Sequence, residues 1–282
     1  MPRFGLNGAT TGTRVSVETD IHVARQAGYQ AIELRDEKIE RYLAAGHSLA
    51  SLADRVRDAG LEVLSINALE DATLVAKEHS PARLAHWQRL CEWAAVLDAP
   101  YVIGVPSFLP DPPPTEDEIR TRSVESLRAL AAVARTFGVR VGFEFLGFPA
   151  CSVNALRSAR RIVEDADDLS VGLVIDAFHF YVGQSRFEDL DGLDPLRLFI
   201  VHLDDAEPGE VSGLSDAQRL LPGEGVIPLD VFVGALQRVG FRGMYSLELF
   251  RPEYWTQDPT DLARRGLERM QRLFDREAGG TP

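Results

Sequence analysis

Lysine is almost missing from this chain: Lys38 and Lys77 are the only two among 282 residues. Schiff-base chemistry needs a lysine poised at the reacting centre. Lys77 lies in a polar, loop-like stretch, and Lys38 sits in the charged run RDEKIER, where it reads as solvated. The sequence therefore argues against that chemistry. Cysteine is nearly as scarce. Cys91 and Cys151 form no CxxC pair, which fits a reducing compartment. No run of about 18 apolar residues is present, so no membrane span is expected. The opening MPRFGLNGATTG lacks the long apolar stretch of a secretion signal, and a cytoplasmic location is the expectation. Net charge is −13 with no long basic run, which opposes nucleic-acid binding.

What is present is an alternation. Helix-like segments end in glycine and a β-rich run follows at once: QAG-YQAIELR, DAG-LEVLSINAL, TFG-VRVGFEFLG and RVG-FRGMYSLELF, with LDAP-YVIGVPS as a variant. Glycine after a helix supplies the left-handed closing position, and a Val/Ile/Leu-rich run fits a buried parallel strand. Eight strand candidates result, at about 3–8, 29–35, 61–68, 101–106, 139–146, 171–177, 197–204 and 243–249. Helices fit between most of them, and a last one is expected near 258–277. Thr115 and Glu118 form a capping box that opens one of them. The sixth connection, YVGQSRFEDLDGLDP, is short and polar and predicts an irregular helix. Eight such units predict an α/β fold, a single (β/α)8 TIM barrel over residues 1–282 with a frayed tail at about 278–282. A doubly wound open sheet is the alternative, but no GxGxxG follows the first strand. The PDPPP run, Pro110 to Pro114, fits a stiff loop after the fourth strand better than a domain boundary.

Four of these strands carry an ionisable group at the C-terminal end: Glu144 in VGFEFLG, Asp176 in VGLVIDAFHF, His202 in LFIVHLDD and Glu248 in MYSLELFRPEY. Burying an unpaired charge costs several kcal/mol or forces a large pKa shift. Each residue alone has an ordinary explanation: a salt bridge for either glutamate, a helix N-cap for Asp176, a structural hydrogen bond for His202. Together, on neighbouring strands that share one barrel mouth, they predict a divalent metal held by three carboxylates and one imidazole. The donor set suits Mn²⁺, Mg²⁺, Co²⁺ or Zn²⁺.

The stretches GFPACSVN, VGLVIDAFHF, HLDDAE, LPGEGVIPLD and SLELFRPEYW resemble the xylose-isomerase-like sugar isomerase/epimerase superfamily. Within it the chain looks like the inosose isomerases of inositol catabolism, which interconvert 2-keto-myo-inositol and 1-keto-D-chiro-inositol. The resemblance runs over nearly the whole chain. It implies a single metal, manganese first, on Glu144, Asp176, His202 and Glu248. It also implies that Glu144 and Glu248 move protons while the metal stabilises an enediolate. Related ketose 3-epimerases and inosose dehydratases share this chemistry and remain alternatives.

Supporting residues follow. His179, in DAFHF, is expected to reach substrate oxygens, as the DxxH histidine of relatives does. Arg251 in ELFRPEY is a second candidate, or an ion-pair partner of a loop carboxylate. Glu33 in AIELR and Asn67 in SINAL are expected at the mouth, touching substrate or bracing a ligand. Asp205 either orients a neighbouring group or is a solvated loop acid. PGEG, Pro222 to Gly225, lacks GxxxxGK[ST] and reads as a tight turn. Without a phosphate clamp, a free polyol or sugar is the expected partner rather than a sugar phosphate. Cys151 has no histidine placed to activate it. Trp87 and Trp93, with Leu84 and Leu90, read as a core or subunit-packing face, which leaves room for a homo-oligomer. A repair endonuclease on the same barrel would need several zinc ions and more histidines than the six here. A non-catalytic polyol-binding barrel has no use for a paired acid and base.

Overall fold

Each of the eight strand runs becomes one stave of a closed parallel barrel. The structure, a computed structural model, describes residues 2–74 and 80–278. Lys77, His79 and the tail beyond residue 278 lie outside the described residues. In chain order the elements are β1 (Arg3–Asn7), α1 (Val17–Ala27), β2 (Ala31–Arg35), α2 (Asp36–Ala44), α3 (Leu49–Asp58), β3 (Glu62–Leu69), α4 (Ser80–Val96), β4 (Tyr101–Gly104), α5 (Glu116–Thr136), β5 (Arg140–Glu144), α6 (Leu156–Ala166), β6 (Val171–Asp176), α7 (Ala177–Val182), β7 (Leu198–His202), β8 (Asp205–Ala206), β9 (Arg219–Leu220), α8 (Leu229–Val239), β10 (Met244–Leu247) and α9 (Pro259–Ala278). The barrel closes in the order β1–β10–β7–β6–β5–β4–β3–β2. The short strands β8 and β9 form an antiparallel hairpin apart from it, which the sequence reading did not foresee.

The glycine punctuation works as expected. Gly28, Gly60, Gly138 and Gly240 have φ of 95°, 71°, 72° and 92°. These left-handed values cost a side-chain-bearing residue more than glycine. In the LDAP variant Asp98 takes that conformation, at φ 55°. The Thr115–Glu118 capping box is formed. The proline run lies between β4 and α5, and the sixth connection is the six-residue α7 followed by two 3₁₀ turns. Among the described residues no helix is long and apolar enough to cross a membrane.

Two apolar clusters hold the architecture. The larger lies between strands and helices and includes Trp87, Leu90 and Trp93, so the tryptophan face is core. The smaller, with Ala31, Leu64, Ile103, Val174, Phe199 and Met244, draws on the strands and fills the lumen. Gly172 is required there, because a Cβ would come within 2.4 Å of the Phe199 ring.

One expectation fails at α2. Lys38 is not solvated; it is 1% exposed. Its Nζ donates to Gly8 O at 2.7 Å, Thr11 Oγ1 at 3.0 Å and the two Asp20 oxygens at 2.9 and 2.8 Å. The charged run RDEKIER is locally polar, but its helix turns Lys38, Ile39 and Tyr42 inward. Asp20 and the loop after β1 then surround the ammonium.

Candidate metal centre

The four expected ligands meet. Glu144, Asp176 and His202 are the last residues of β5, β6 and β7, and Glu248 follows β10 directly. Asp176 and His202 stand in register on adjacent strands. One donor atom from each of the four lies within 4.8 Å of the others, and all four residues are buried. His202 is the hub. Its Nδ1 stands 3.1 Å from Glu144 Oε1, 3.3 Å from Glu248 Oε2 and 3.7 Å from Asp176 Oδ2. Its Nε2 faces Glu33 Oε1 at 3.1 Å, and Glu33 in turn accepts from Ser65 Oγ at 2.7 Å. A carboxylate behind the second ring nitrogen fixes the tautomer that leaves Nδ1 free to ligate.

A second layer was not anticipated. Arg219 of β9 is 1% exposed and reaches across the cluster. Its Nη1 donates to Asp176 Oδ2 and Asp204 Oδ2, each at 2.6 Å, and lies 3.3 Å from Glu248 Oε2. Its Nη2 donates to His179 Nε2 at 2.9 Å, which puts the ring proton of a neutral His179 on Nδ1. Among the described residues that Nδ1 has no hydrogen-bond partner, although His179 is 2% exposed. Phe178 and Phe250 cover the guanidinium, with centroids 5.0 and 5.2 Å from its carbon. Asn7 Nδ2 donates to Glu248 Oε1 at 2.9 Å. Asp176 also accepts the His179 backbone N–H at 2.7 Å, so it is helix cap and cluster member at once.

Asp205 is buried rather than a solvated loop acid, and it holds the loop that follows β9. Its carboxylate accepts from the N–H groups of Gly223, Gly225 and Ile227 at 3.0, 2.9 and 2.8 Å. This is the PGEG turn, and it anchors the hairpin that delivers Arg219. Asn67 is buried, with Oδ1 accepting from Arg35 Nη1 at 2.9 Å and Nδ2 without a partner among the described residues. Arg251 pairs with Glu207 at 2.6 Å and Glu253 at 3.4 Å, the ion-pair arrangement. Cys151 is buried, and burial pushes its thiol up to about 12, which disfavours the thiolate a nucleophile needs.

The electrostatics are unbalanced. Five buried carboxylates (Glu33, Glu144, Asp176, Asp204 and Glu248) face Arg219, the more distant Arg35 and, when protonated, His202. Burial, reinforced by Glu248, pushes Glu144 up to about 7 against the pull of His202. Burial likewise raises Asp176, and raises Asp204 well above the usual carboxylate range. Burial also works against charge on Glu248 and Glu33, but His202 outweighs it and holds both below their ordinary values. Burial disfavours the His202 cation, yet Glu248, Glu33 and Glu144 raise its pKa well above the usual range. Three hard oxygens, one imidazole nitrogen with its partner nitrogen braced, and an excess of buried negative charge fit a divalent cation.

Arg219 and Asp204 escaped the sequence reading. The available signal was length: 26 residues, 203–228, separate β7 from α8, longer than most connections, and long loops carry function.

Residues 21–273 match the family model described as Xylose isomerase-like TIM barrel. The chain is 35% identical over 251 residues to an inosose isomerase of Bacillus velezensis, covering 89% of each protein. It is 34% identical over 251 residues to the inosose isomerase of Bacillus subtilis, covering 89% of this chain and 90% of that one. Among solved structures, the IOLI protein with a bound zinc atom superposes with a TM-score of 0.93 at 31% identity, covering 97% of this chain and 98% of that one. The chain belongs to the xylose isomerase-like TIM barrel family.

Proposed function

We propose that this protein is a divalent-metal-dependent inosose isomerase that converts 2-keto-myo-inositol to 1-keto-D-chiro-inositol by proton transfer. The carrying observation is the buried cluster of Glu144, Asp176, His202 and Glu248, in a chain whose inosose isomerase relatives match it over about nine-tenths of its length. Those four residues would hold one ion, for which we put manganese first. Bound there, it would supply Lewis-acid polarisation of the ketone oxygen and the neighbouring hydroxyl oxygen.

The chain's own residues do the rest. Glu144 and Glu248 sit on the outer staves of the β5–β6–β7–β10 arc and flank His202. One carboxylate takes the proton from the carbon bearing the hydroxyl, and a proton returns to the former carbonyl carbon. The hydroxyl proton passes to the former carbonyl oxygen, so atoms balance and only the positions of C=O and CH–OH exchange. Glu33 holds His202 in its ligating tautomer. His179, with its Nδ1 proton uncommitted, donates to a substrate oxygen, and Arg219 fixes that ring through Nη2. The Asn67 amide N–H offers a further donor at the mouth.

Incubation of 2-keto-myo-inositol with Mn²⁺-loaded enzyme in D₂O, followed by proton NMR, tests this. The 1-keto-chiro isomer should appear with deuterium at the exchanged carbon. Epimerised ketoses, or a dehydrated dione, as the only products would reassign the reaction within the family.

A further inference from the structure

The cluster occupies one half of the barrel mouth. In the other half, beyond the ends of β2, β3 and β4, lies a cavity of about 760 Å³. That volume is in the range of sites for ligands larger than one six-membered ring. Among the described residues its lining includes four carboxylates, two arginines and one histidine. Asp36, Glu70 and Asp71 are among the acceptors, and Arg35, Arg83 and His86 are the donors. Arg35 Nε and His86 Nε2 come only within 3.4 and 3.7 Å of carboxylates. These two atoms and Arg83 Nε make no hydrogen bond among the described residues, and all three are themselves buried.

One wall is aromatic. Phe108 is 62% exposed, a costly placement for a large apolar side chain. It does not sit on a loose loop. Phe108 pairs with Cys151 in an antiparallel bridge. Leu109 N–H donates to Ala150 O at 2.8 Å, Ser152 N–H to Ser107 O at 2.9 Å, and Ser107 N–H to Thr73 Oγ1 at 2.9 Å. The backbone that carries the ring is thus held from the segment that follows β5, the strand that ends in Glu144. On the other side Arg35 joins the cavity to the cluster: its charge acts on Glu248, and Phe250 carries Arg35 at 5.6 Å and Arg219 at 5.2 Å.

The chemistry selects a ligand class. A lining in which carboxylates outnumber cations repels phosphate and carboxylate groups. Interleaved donors and acceptors suit hydroxyls, which do both. An exposed aromatic face on a held backbone suits the apolar C–H face of a ring. We propose that this cavity is a second subsite, for a neutral sugar ring attached to the ketone, so that glycosylated cyclitol ketones are substrates. The inference rests on the isomerase reading and extends it.

The test compares 2-keto-myo-inositol with its O-glucosylated derivative on wild type and Phe108→Ala. Wild type should convert both. Phe108→Ala should lower kcat/KM about tenfold on the glucosylated ketone and leave the free ketone within about twofold, the scale of one aromatic platform. An equal loss on both, or no turnover of the glucosylated ketone by an enzyme that converts the free one, overturns the proposal. If neither ketone is converted, the isomerase reading fails, and saturation-transfer NMR with methyl β-D-glucoside decides for the cavity. A signal in wild type that is lost in Phe108→Ala upholds the subsite, and absence of a signal in wild type overturns it.

Discussion

Two groups of buried charge in this barrel obey different rules. Around Lys38, one ammonium meets one carboxylate, Asp20, and its remaining donors are taken by Gly8 O and Thr11 Oγ1. The charge closes on itself. Around His202, five carboxylates gather against too few cations: burial raises Glu144, Asp176 and Asp204, while His202 holds Glu33 and Glu248 below their ordinary values. A balanced buried pair anchors a loop; an unbalanced carboxylate cluster has the charge and donors to hold a divalent cation.

The largest expected contrast is in turnover. Glu248→Gln removes a ligand and one of the two proton carriers, and should lower kcat by about 10³-fold or more. Its unfolding midpoint should fall only modestly, because His202 and Arg219 lose the ionised partner they hold below its ordinary value while the fold stays intact. Steady-state kinetics and urea unfolding on the same sample check both halves. Lys38→Met should behave oppositely. It strands Asp20 and should cost about 3–5 kcal/mol of stability while the folded fraction keeps near-normal kcat.

A smaller effect sharpens the pair's status. Burial, only partly offset by Lys38, pushes Asp20 up to about 6 from its ordinary 3.8. A folded-state value above the unfolded one gives stability that is complete below pH 3.8 and is lost as pH rises through about 6. The double variant Asp20→Asn/Lys38→Met removes this dependence. Its stability relative to wild type should therefore climb by roughly 2 kcal/mol between pH 4 and pH 7. A flat difference across that range would mean that the pair is ionised at no cost.

The same contrast explains what could be read from the sequence. Glu144, Asp176, His202 and Glu248 stood out because each breaks an apolar strand, and strand ends are fixed by local pattern. The barrel followed from glycine-closed helices, whose φ values bear it out at Gly28, Gly60, Gly138 and Gly240. Lys38 was misread because its neighbours Glu37 and Glu40 are polar, while the groups that bury it come from the loop after β1 and from Asp20 on α1, 18 to 30 residues earlier. Arg219 was invisible for a similar reason. It lies on a two-residue strand in a polar connection, and only the fold, with Asp205 gripping the turn after it, carries the guanidinium to Asp176.

The most direct measurement is a calorimetric titration of Mn²⁺ into protein stripped with EDTA. A metal centre on Glu144, Asp176, His202 and Glu248 predicts one ion per chain in wild type and in Lys38→Met, with binding weakened at least tenfold in Glu248→Gln. No binding by wild type, or equal affinity in wild type and Glu248→Gln, would contradict it.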